Sequence, residues 1–301
     1  MSLAASPLDD SIQAFLDERR RENVSPHTLR AYGIDLAQFS EYFRQVGGPP
    51  AKWTPLILRG WLGWLHGRQL HPASVRRKLA AVRSFFQYML RQGLVEINAA
   101  KLLRTPKAPQ MLPRVMTEEQ MNGLVDGVTA KGQELDKPFP ERDRAIFELL
   151  YGCGLRISEL VGLNLDDLDL SEGWMVVRGK GKKERQVPFA GESFAAVERY
   201  LPVRQAEREV GALFINFRGG RLTDRGARSI VKFYARLLTG DPSIHPHSFR
   251  HAYATHLLTA GADLRAIQEL LGHARLSTTQ KYTQLALHDL MAVYDKAHPK
   301  A

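Results

Sequence analysis

The chain has a single cysteine, Cys153, in 301 residues. An internal disulfide framework is therefore excluded, and the composition suits a reducing compartment, with Cys153 expected as a small core residue. No apolar run approaches the ~20 residues that cross a bilayer. The opening MSLAASPLDDSIQAF lacks the charged n-region and apolar h-region of a signal peptide. Lipidation motifs and a strongly amphipathic basic helix are also missing, so a cytoplasmic protein without membrane attachment is expected. No internal repeat is visible, and no cluster of Asp and Glu is spaced to hold Mg²⁺. These absences exclude a disulfide-built scaffold and make a membrane-bound or repeat protein the less expected reading.

What is present is a soluble-type composition, 44% hydrophobic and 25% charged, in a chain long enough for two domains. Formal net charge is +10 and the sequence pI is about 9.8. The excess is unevenly placed. Residues 1–107 carry sixteen Lys/Arg against eight Asp/Glu, whereas residues 108–301 carry twenty-six against twenty-four. A basic first third is what a domain resting on a polyanion needs, although a basic surface can also serve solubility alone.

The first third reads as helices. LDDSIQAFLDERRRE (8–22) sets Ile12, Phe15 and Leu16 at helical spacing. In VSPHT (24–28), Ser25 is placed to cap a helix with Pro26 in its first turn. Leu29, Tyr32, Leu36, Phe39 and Phe43 then form an apolar stripe ended by GGPP. A Trp- and Leu-rich helix over 54–67 and another over 72–91 follow. In the last, Val75, Leu79, Val82, Phe86 and Met89 face inward, while Arg76, Arg77, Lys78 and Arg83 line the other sides, where a polyanion could be met. A helical unit over 1–95 is expected, then a proline-rich extended linker over 96–113, then a second domain over 114–301. There, 142–163 reads as two helices broken at Gly152 and Gly154. Residues 167–189 read as a β-hairpin with strands Trp174–Val177 and Gln186–Phe189 around a Lys-rich turn. The fold class is mainly α with a small β-sheet in the second domain.

Four stretches of the second domain carry candidate chemistry. In LRISEL (155–160), Arg156 and Glu159 share a helix face and can pair, as many surface residues do. In VRGKGKKER, the turn lysines can keep a sheet tip soluble or deliver one ammonium into a groove. HPHSFRHAYATH (245–256) holds four of the chain's ten histidines. His247 and His251 have the spacing of a zinc-binding pair. The residues between them are Ser, Phe and Arg rather than the Glu of a catalytic zinc motif, and a fixed cation would repel a metal. Phosphate binding by His247 and Arg250, three apart, and plain packing are the other readings. In LLGHARLSTTQKYTQL (270–285), Gly272 ends one helix and Ser277 caps the next. His273 falls between them and Tyr282 lies beyond.

Each signal is weak alone. Together, two arginines, two histidines, a lysine and a tyrosine are the equipment for metal-free cleavage of a phosphodiester. Guanidinium forks offset charge building on the phosphoryl oxygens, a phenol oxygen can attack and hold the phosphate covalently, and a lysine can protonate the departing oxygen.

RISEL at 156–160, HxxR at 247–250, LGHARLSTTQKYT at 271–283 and the GKGKKER hairpin resemble the tyrosine recombinases of the phage-integrase type, in spacing and in order. The basic helical unit resembles that family's core-binding (SAM-like) domain, so the resemblance spans nearly the whole chain. It is closer still to the bacterial Xer recombinases, and TPKAPQMLP and VYDKAHPKA resemble one branch of them. The resemblance implies a two-domain DNA clamp with Tyr282 as nucleophile. Arg156 and Arg250 become phosphate clamps and Glu159 a support for Arg156. Lys180 becomes the general acid, with Lys182 and Lys183 close enough to be confused with it. His247 and His273 orient the phosphate and manage the nucleophile's proton. It implies no metal, no cofactor and no ATP, since bond energy stays in a 3′-phosphotyrosyl link. It also implies a double-stranded recombination site, a heterotetramer with a second Xer-type recombinase, and a division-associated DNA translocase as regulator. The tail stripe Leu287, Leu290, Met291 and Tyr294 would dock on a neighbouring protomer, or else on its own domain. Other readings remain in view: an integrase of a mobile element, a type IB topoisomerase, and a non-catalytic helical DNA-binding regulator that would need neither the hairpin lysine nor Tyr282.

Overall fold

The structure is a computed structural model. It describes residues 7–46, 52–105, 115–179, 184–205 and 211–272. The chain divides into two compact units, Met1–Leu112 and Pro113–Ala301.

The first unit is built from α1 (Pro7–Arg21), α2 (Pro26–Val46), α3 (Pro55–Gly67) and α4 (Pro72–Arg91). Each begins with proline, whose fixed φ suits a first turn and whose missing N–H is not needed there. Polar side chains meet the next orphan donors. Ser25 Oγ accepts from the Thr28 N–H at 3.2 Å, Thr54 caps α3 and His71 caps α4. The apolar stripes converge on an aromatic core in which the ring of Phe39 meets Phe43, Trp53, Trp61 and Phe86.

Two expectations for this unit are corrected. The stretch after α4 is not an extended linker from its start. Ala99–Leu102 form a 3-10 turn capped by Asn98, and Ala99, Ala100 and Leu103 enter the aromatic core. Small alanines allow that close approach; residues 106–114 lie outside the described ones. Secondly, α4 does not offer all its cations to solvent. Lys78 is only 4% exposed and donates to Asp35 of α2 at 2.8 Å. Arg83 donates to the carbonyls of Ala100 and Leu103 and to Thr105 Oγ1. Arg76 is exposed, and Arg77 is half-exposed while also pairing with Asp35.

The second unit contains α5 (Glu118–Glu134), α6 (Pro140–Gly152), α7 (Ile157–Gly162), β1 (Leu168–Asp169), β2 (Trp174–Arg178), β3 (Glu184–Pro188), α8 (Gly191–Tyr200), α9 (Asp224–Thr239), α10 (Pro246–Thr259) and α11 (Leu264–Leu271). Helix α6 is the central post, buried on every side from Arg142 to Gly152. Its charges survive burial by pairing. Arg142 is held by Asp143 and the Ile215 carbonyl, and Arg144 by Glu148, Asp126 and the Val125 carbonyl. The expected hairpin gains a third strand, giving an antiparallel sheet in the order β1-β2-β3. Met175 lies opposite Val187 and Val177 opposite Arg185, with both valines and Met175 fully buried. Cys153 is a buried free thiol in the core, as expected of a lone cysteine.

Candidate active site

The site grows from the turn between α6 and α7. Gly154 has φ +58, and a Cβ there would come within 2.5 Å of the Tyr253 ring, so only glycine fits both the backbone and the packing. The turn leaves Arg156 at the start of α7. One helical step on, Glu159 folds back so that its Oε2 accepts from the Arg156 N–H at 2.9 Å and its Oε1 from the Arg156 guanidinium at 2.7 Å. The pairing expected from the RISEL spacing is present, but it is no ordinary surface pair: the Glu159 side chain is 1% exposed.

Two further arginines reach the same carboxylate. Arg185 of β3 forks onto it, Nη1 to Oε1 at 2.7 Å and Nη2 to Oε2 at 3.0 Å. Arg250 of α10 lies 4.0 Å from Oε2. Arg250 is buried and fixed by two carbonyls, donating to Gly154 O at 2.6 Å and to Leu271 O. Arg156 is the open member of the set, its side chain 35% exposed. One negative charge thus faces three positive ones, a surplus that an anion can answer.

The titration behaviour follows from this crowding. Burial by itself would raise the Glu159 carboxyl, but the Arg185 fork, its charge and the two hydrogen bonds from Arg156 outweigh it and hold the group at about 2. Arg250 is pushed down to about 10 by burial and then by the Arg156 charge. His247 sits below the ordinary imidazole range through loss of hydration, then through the positive charges of His245, Arg228, Arg250 and Arg156. These surroundings disfavour its charged form.

The histidine-rich stretch resolves into separate parts. His245 caps α10, its Nδ1 2.6 Å from Ser248 Oγ. His247 lies one turn before Arg250 at the exposed start of the helix, and His251 is exposed a turn later. His256 is buried between the Tyr151 hydroxyl and the Met116 carbonyl, each 2.9 Å from a ring nitrogen. A carbonyl only accepts, so Nε2 carries a proton and donates it towards Met116. Among the described residues, no three His, Cys, Asp or Glu side chains gather as metal ligands would.

The structure brings Arg156, Glu159 and Arg250 together, with His247 beside them. Lys180, Lys182, Lys183, His273, Ser277, Tyr282 and the tail stripe lie outside the described residues. Motif spacing alone misses Arg185, although it closes GKGKKER. Period-two alternation from Val187 puts it on the core face of β3, and an arginine on that face signals a buried partner.

Comparisons with known proteins place this mostly helical chain, with its small antiparallel sheet and buried arginine–carboxylate cluster, in a class of DNA strand-exchange enzyme. The phage integrase family model matches residues 114–288, and the phage integrase N-terminal SAM-like domain matches residues 10–93. The chain belongs to the phage integrase family and is a site-specific tyrosine recombinase. It is 46% identical to tyrosine recombinase XerC of Pelobacter propionicus, over 98% of this chain and 97% of that one. It is 43% identical to tyrosine recombinase XerC of Myxococcus xanthus, over 98% and 99% respectively. Its fold is similar to that of XerH site-specific recombinase bound to a palindromic difH substrate, with TM-score 0.73 and 22% identity over 97% of this chain and 86% of that one.

Proposed function

We propose that this chain performs the XerC role, cutting one strand of a chromosomal recombination site and exchanging it with a partner duplex. The Tyr282 oxygen attacks the scissile phosphorus. The Tyr282 O–P bond forms as the P–O5′ bond breaks, leaving a 3′-phosphotyrosyl enzyme and a 5′-hydroxyl. The phenol's proton passes to His247 or His273, and Lys180 supplies the proton taken up by O5′. Arg156 and Arg250 bind the non-bridging oxygens and offset the charge that accumulates in the transition state. Glu159 keeps Arg156 in place. Attack by a 5′-hydroxyl from the other duplex reverses the step, so no ATP or divalent ion is consumed.

The observation that carries this reading is the convergence of Arg156 and Arg250 on the buried Glu159, within 2.7 and 4.0 Å. Residues 114–301 act as the catalytic domain and residues 1–95 as a core-binding domain on the same duplex. Most of the N-terminal contacts go to phosphates, which position without specifying sequence. A second, XerD-like recombinase completes a heterotetramer that resolves chromosome dimers at cell division, under a division-associated DNA translocase. Chromosomal DNA as substrate sets a cytoplasmic location.

The test is covalent trapping on a panel of nicked duplexes in EDTA, with and without a second Xer recombinase. A protein–DNA adduct that vanishes in Tyr282→Phe is the expected result. A strict requirement for Mg²⁺ or Zn²⁺, or an adduct that survives Tyr282→Phe, overturns it.

A further inference from the structure

Three arginines surround Glu159, and they do not share it evenly. Arg185 forks onto it, Nη1 to Oε1 at 2.7 Å and Nη2 to Oε2 at 3.0 Å, the geometry in which a guanidinium meets a carboxylate best. Arg156 gives one guanidinium bond, and its second bond comes from a backbone N–H that carries no formal charge. Arg250 lies 4.0 Å away, beyond hydrogen-bond reach, with Nη1 and Nη2 directed to the carbonyls of Gly154 and Leu271.

Burial sharpens the inequality. The Arg185 side chain is only 9% exposed, and its remaining nitrogen, Nε, donates to the Leu270 carbonyl at 3.0 Å. With all three nitrogens met by protein groups, Arg185 is not arranged as a phosphate ligand, whereas Arg156 is open. The titration of Glu159 runs the same way. Burial raises its carboxyl, and the Arg185 fork and charge lead the influences that oppose this, ahead of the two bonds from Arg156.

Counting charge gives the arrangement a consequence. Three guanidinium groups less one carboxylate leave two positive charges, and those belong to Arg156 and Arg250 because Arg185 and Glu159 form a neutral buried pair. Without Arg185, the same carboxylate would face Arg156 and Arg250 alone and reduce the net charge to one. Beside buried groups that difference acts strongly on the charge that builds on a phosphate's non-bridging oxygens during attack.

We infer that Arg185 is an electrostatic positioning residue: by forking onto Glu159 it cancels that carboxylate and leaves the charges of Arg156 and Arg250 to the scissile phosphate. The inference deepens the proposed reading of those two arginines as phosphate clamps and rests on it.

A role exerted through charge can be repaired in two ways that repair neither misfolding nor weak DNA binding. A methylphosphonate, with a methyl in place of one non-bridging oxygen, removes the charge that the arginines must answer. Neutralising Glu159 removes the group that competes for them. Rates of Tyr282-dependent adduct formation at saturating duplex would be measured for the full chain, for Arg185→Gln and for Arg185→Gln combined with Glu159→Gln. Nicked duplexes would carry phosphate or methylphosphonate at the scissile position. Arg185→Gln should lose about tenfold or more on phosphate and no more than about threefold on methylphosphonate, and the double variant should regain about fivefold on phosphate. Equal losses on both duplexes, no loss on phosphate, or a double variant no faster than the single one overturns the assignment. Should the unaltered chain not cleave methylphosphonate, the double variant decides on phosphate alone. Should Arg185→Gln not fold, Arg185→Lys takes its place, since it keeps the charge but not the fork. It should stay within about threefold of the unaltered chain on phosphate, and a loss of about tenfold overturns the assignment. An unaltered chain that forms no Tyr282-dependent adduct on phosphate removes the underlying reading. A normal adduct in the unaltered chain with an undiminished Arg185→Gln rate removes the role of Arg185 alone.

Discussion

The two units each bury a carboxylate among cations, and they do so to different ends. In the helical unit, Asp35 of α2 is fully buried against Lys78 of α4, with Arg77 closing the other side. There Lys78 is sealed and its pairing ties one helix to another, while Arg77 keeps half of its side chain exposed. In the catalytic unit, Glu159 is shared by Arg156, Arg185 and Arg250, and the surplus charge opens outward through Arg156. Regional charge counts point the other way. Residues 1–107 hold a two-to-one excess of Lys/Arg, while residues 108–301 are nearly balanced. The nearly balanced region nevertheless contains the arginine cluster, because three of its described arginines share the one carboxylate of Glu159. Net charge describes what a domain is drawn to, whereas the chemistry depends on which cations share a partner.

The largest expected break in this comparison is Glu159→Ala. Three guanidinium groups would be left without their common carboxylate, a loss of about 3–5 kcal/mol by the precedent of broken buried pairs. Urea unfolding of the full chain would measure the stability loss, and the adduct assay should show cleavage falling with it. An unchanged unfolding midpoint would show that the cluster does not depend on the carboxylate. Acid supplies a gentler version. The Glu159 carboxyl is held at about 2, below its ordinary 4.5. Its contribution is therefore complete above pH 4.5 and is lost as pH falls towards 2. It amounts to about 3 kcal/mol at most, since each tenfold change in proton affinity is worth about 1.4 kcal/mol. Glu159→Gln should flatten the stability profile across that window; an unaltered slope would contradict the sign.

Asp35→Ala is the matched experiment in the helical unit. It strands the buried Lys78 and should cost about 3 kcal/mol by the same reasoning. Cleavage per bound duplex should survive in the folded fraction, because Asp35 serves a helix–helix joint and not the reacting phosphate. A loss of adduct at saturating duplex and full folding would erase the distinction between the two carboxylates.

Much of this architecture is legible in the sequence. Prolines at helix starts, apolar stripes and the Lys-rich turn locate most of the helices and the sheet, because those signals are local. The RISEL spacing also announces the Arg156–Glu159 pair. What cannot be read locally is which long-range partner each cation meets. Lys78 and Arg83 sit at outward positions by helical spacing, yet one is claimed by Asp35, forty-three residues away, and the other by the backbone beyond α4. Ala99–Leu103 look like linker because a 3-10 turn has no amphipathic period to detect. Arg185 escapes notice because a turn rich in lysine reads as a solvated tip, although strand alternation already turns this arginine inward.

The smallest effect separates the remaining cations of α4. Arg76 is exposed, whereas Arg83 is tied to Ala100, Leu103 and Thr105. A phosphate contact adds about one to the salt slope of duplex binding and leaves folding untouched. Arg76→Ala should therefore lower that slope by about one, weaken binding to all sequences alike and leave the unfolding midpoint in place. Arg83→Ala should do the reverse, since it frees the 3-10 turn while removing a charge already committed to carbonyls. Titrations of both variants at several salt concentrations decide the matter. If the Arg76 slope stays put while the Arg83 slope drops, the cations that touch DNA are the ones the fold already occupies, and the backbone contacts of Arg83 must yield when the duplex binds.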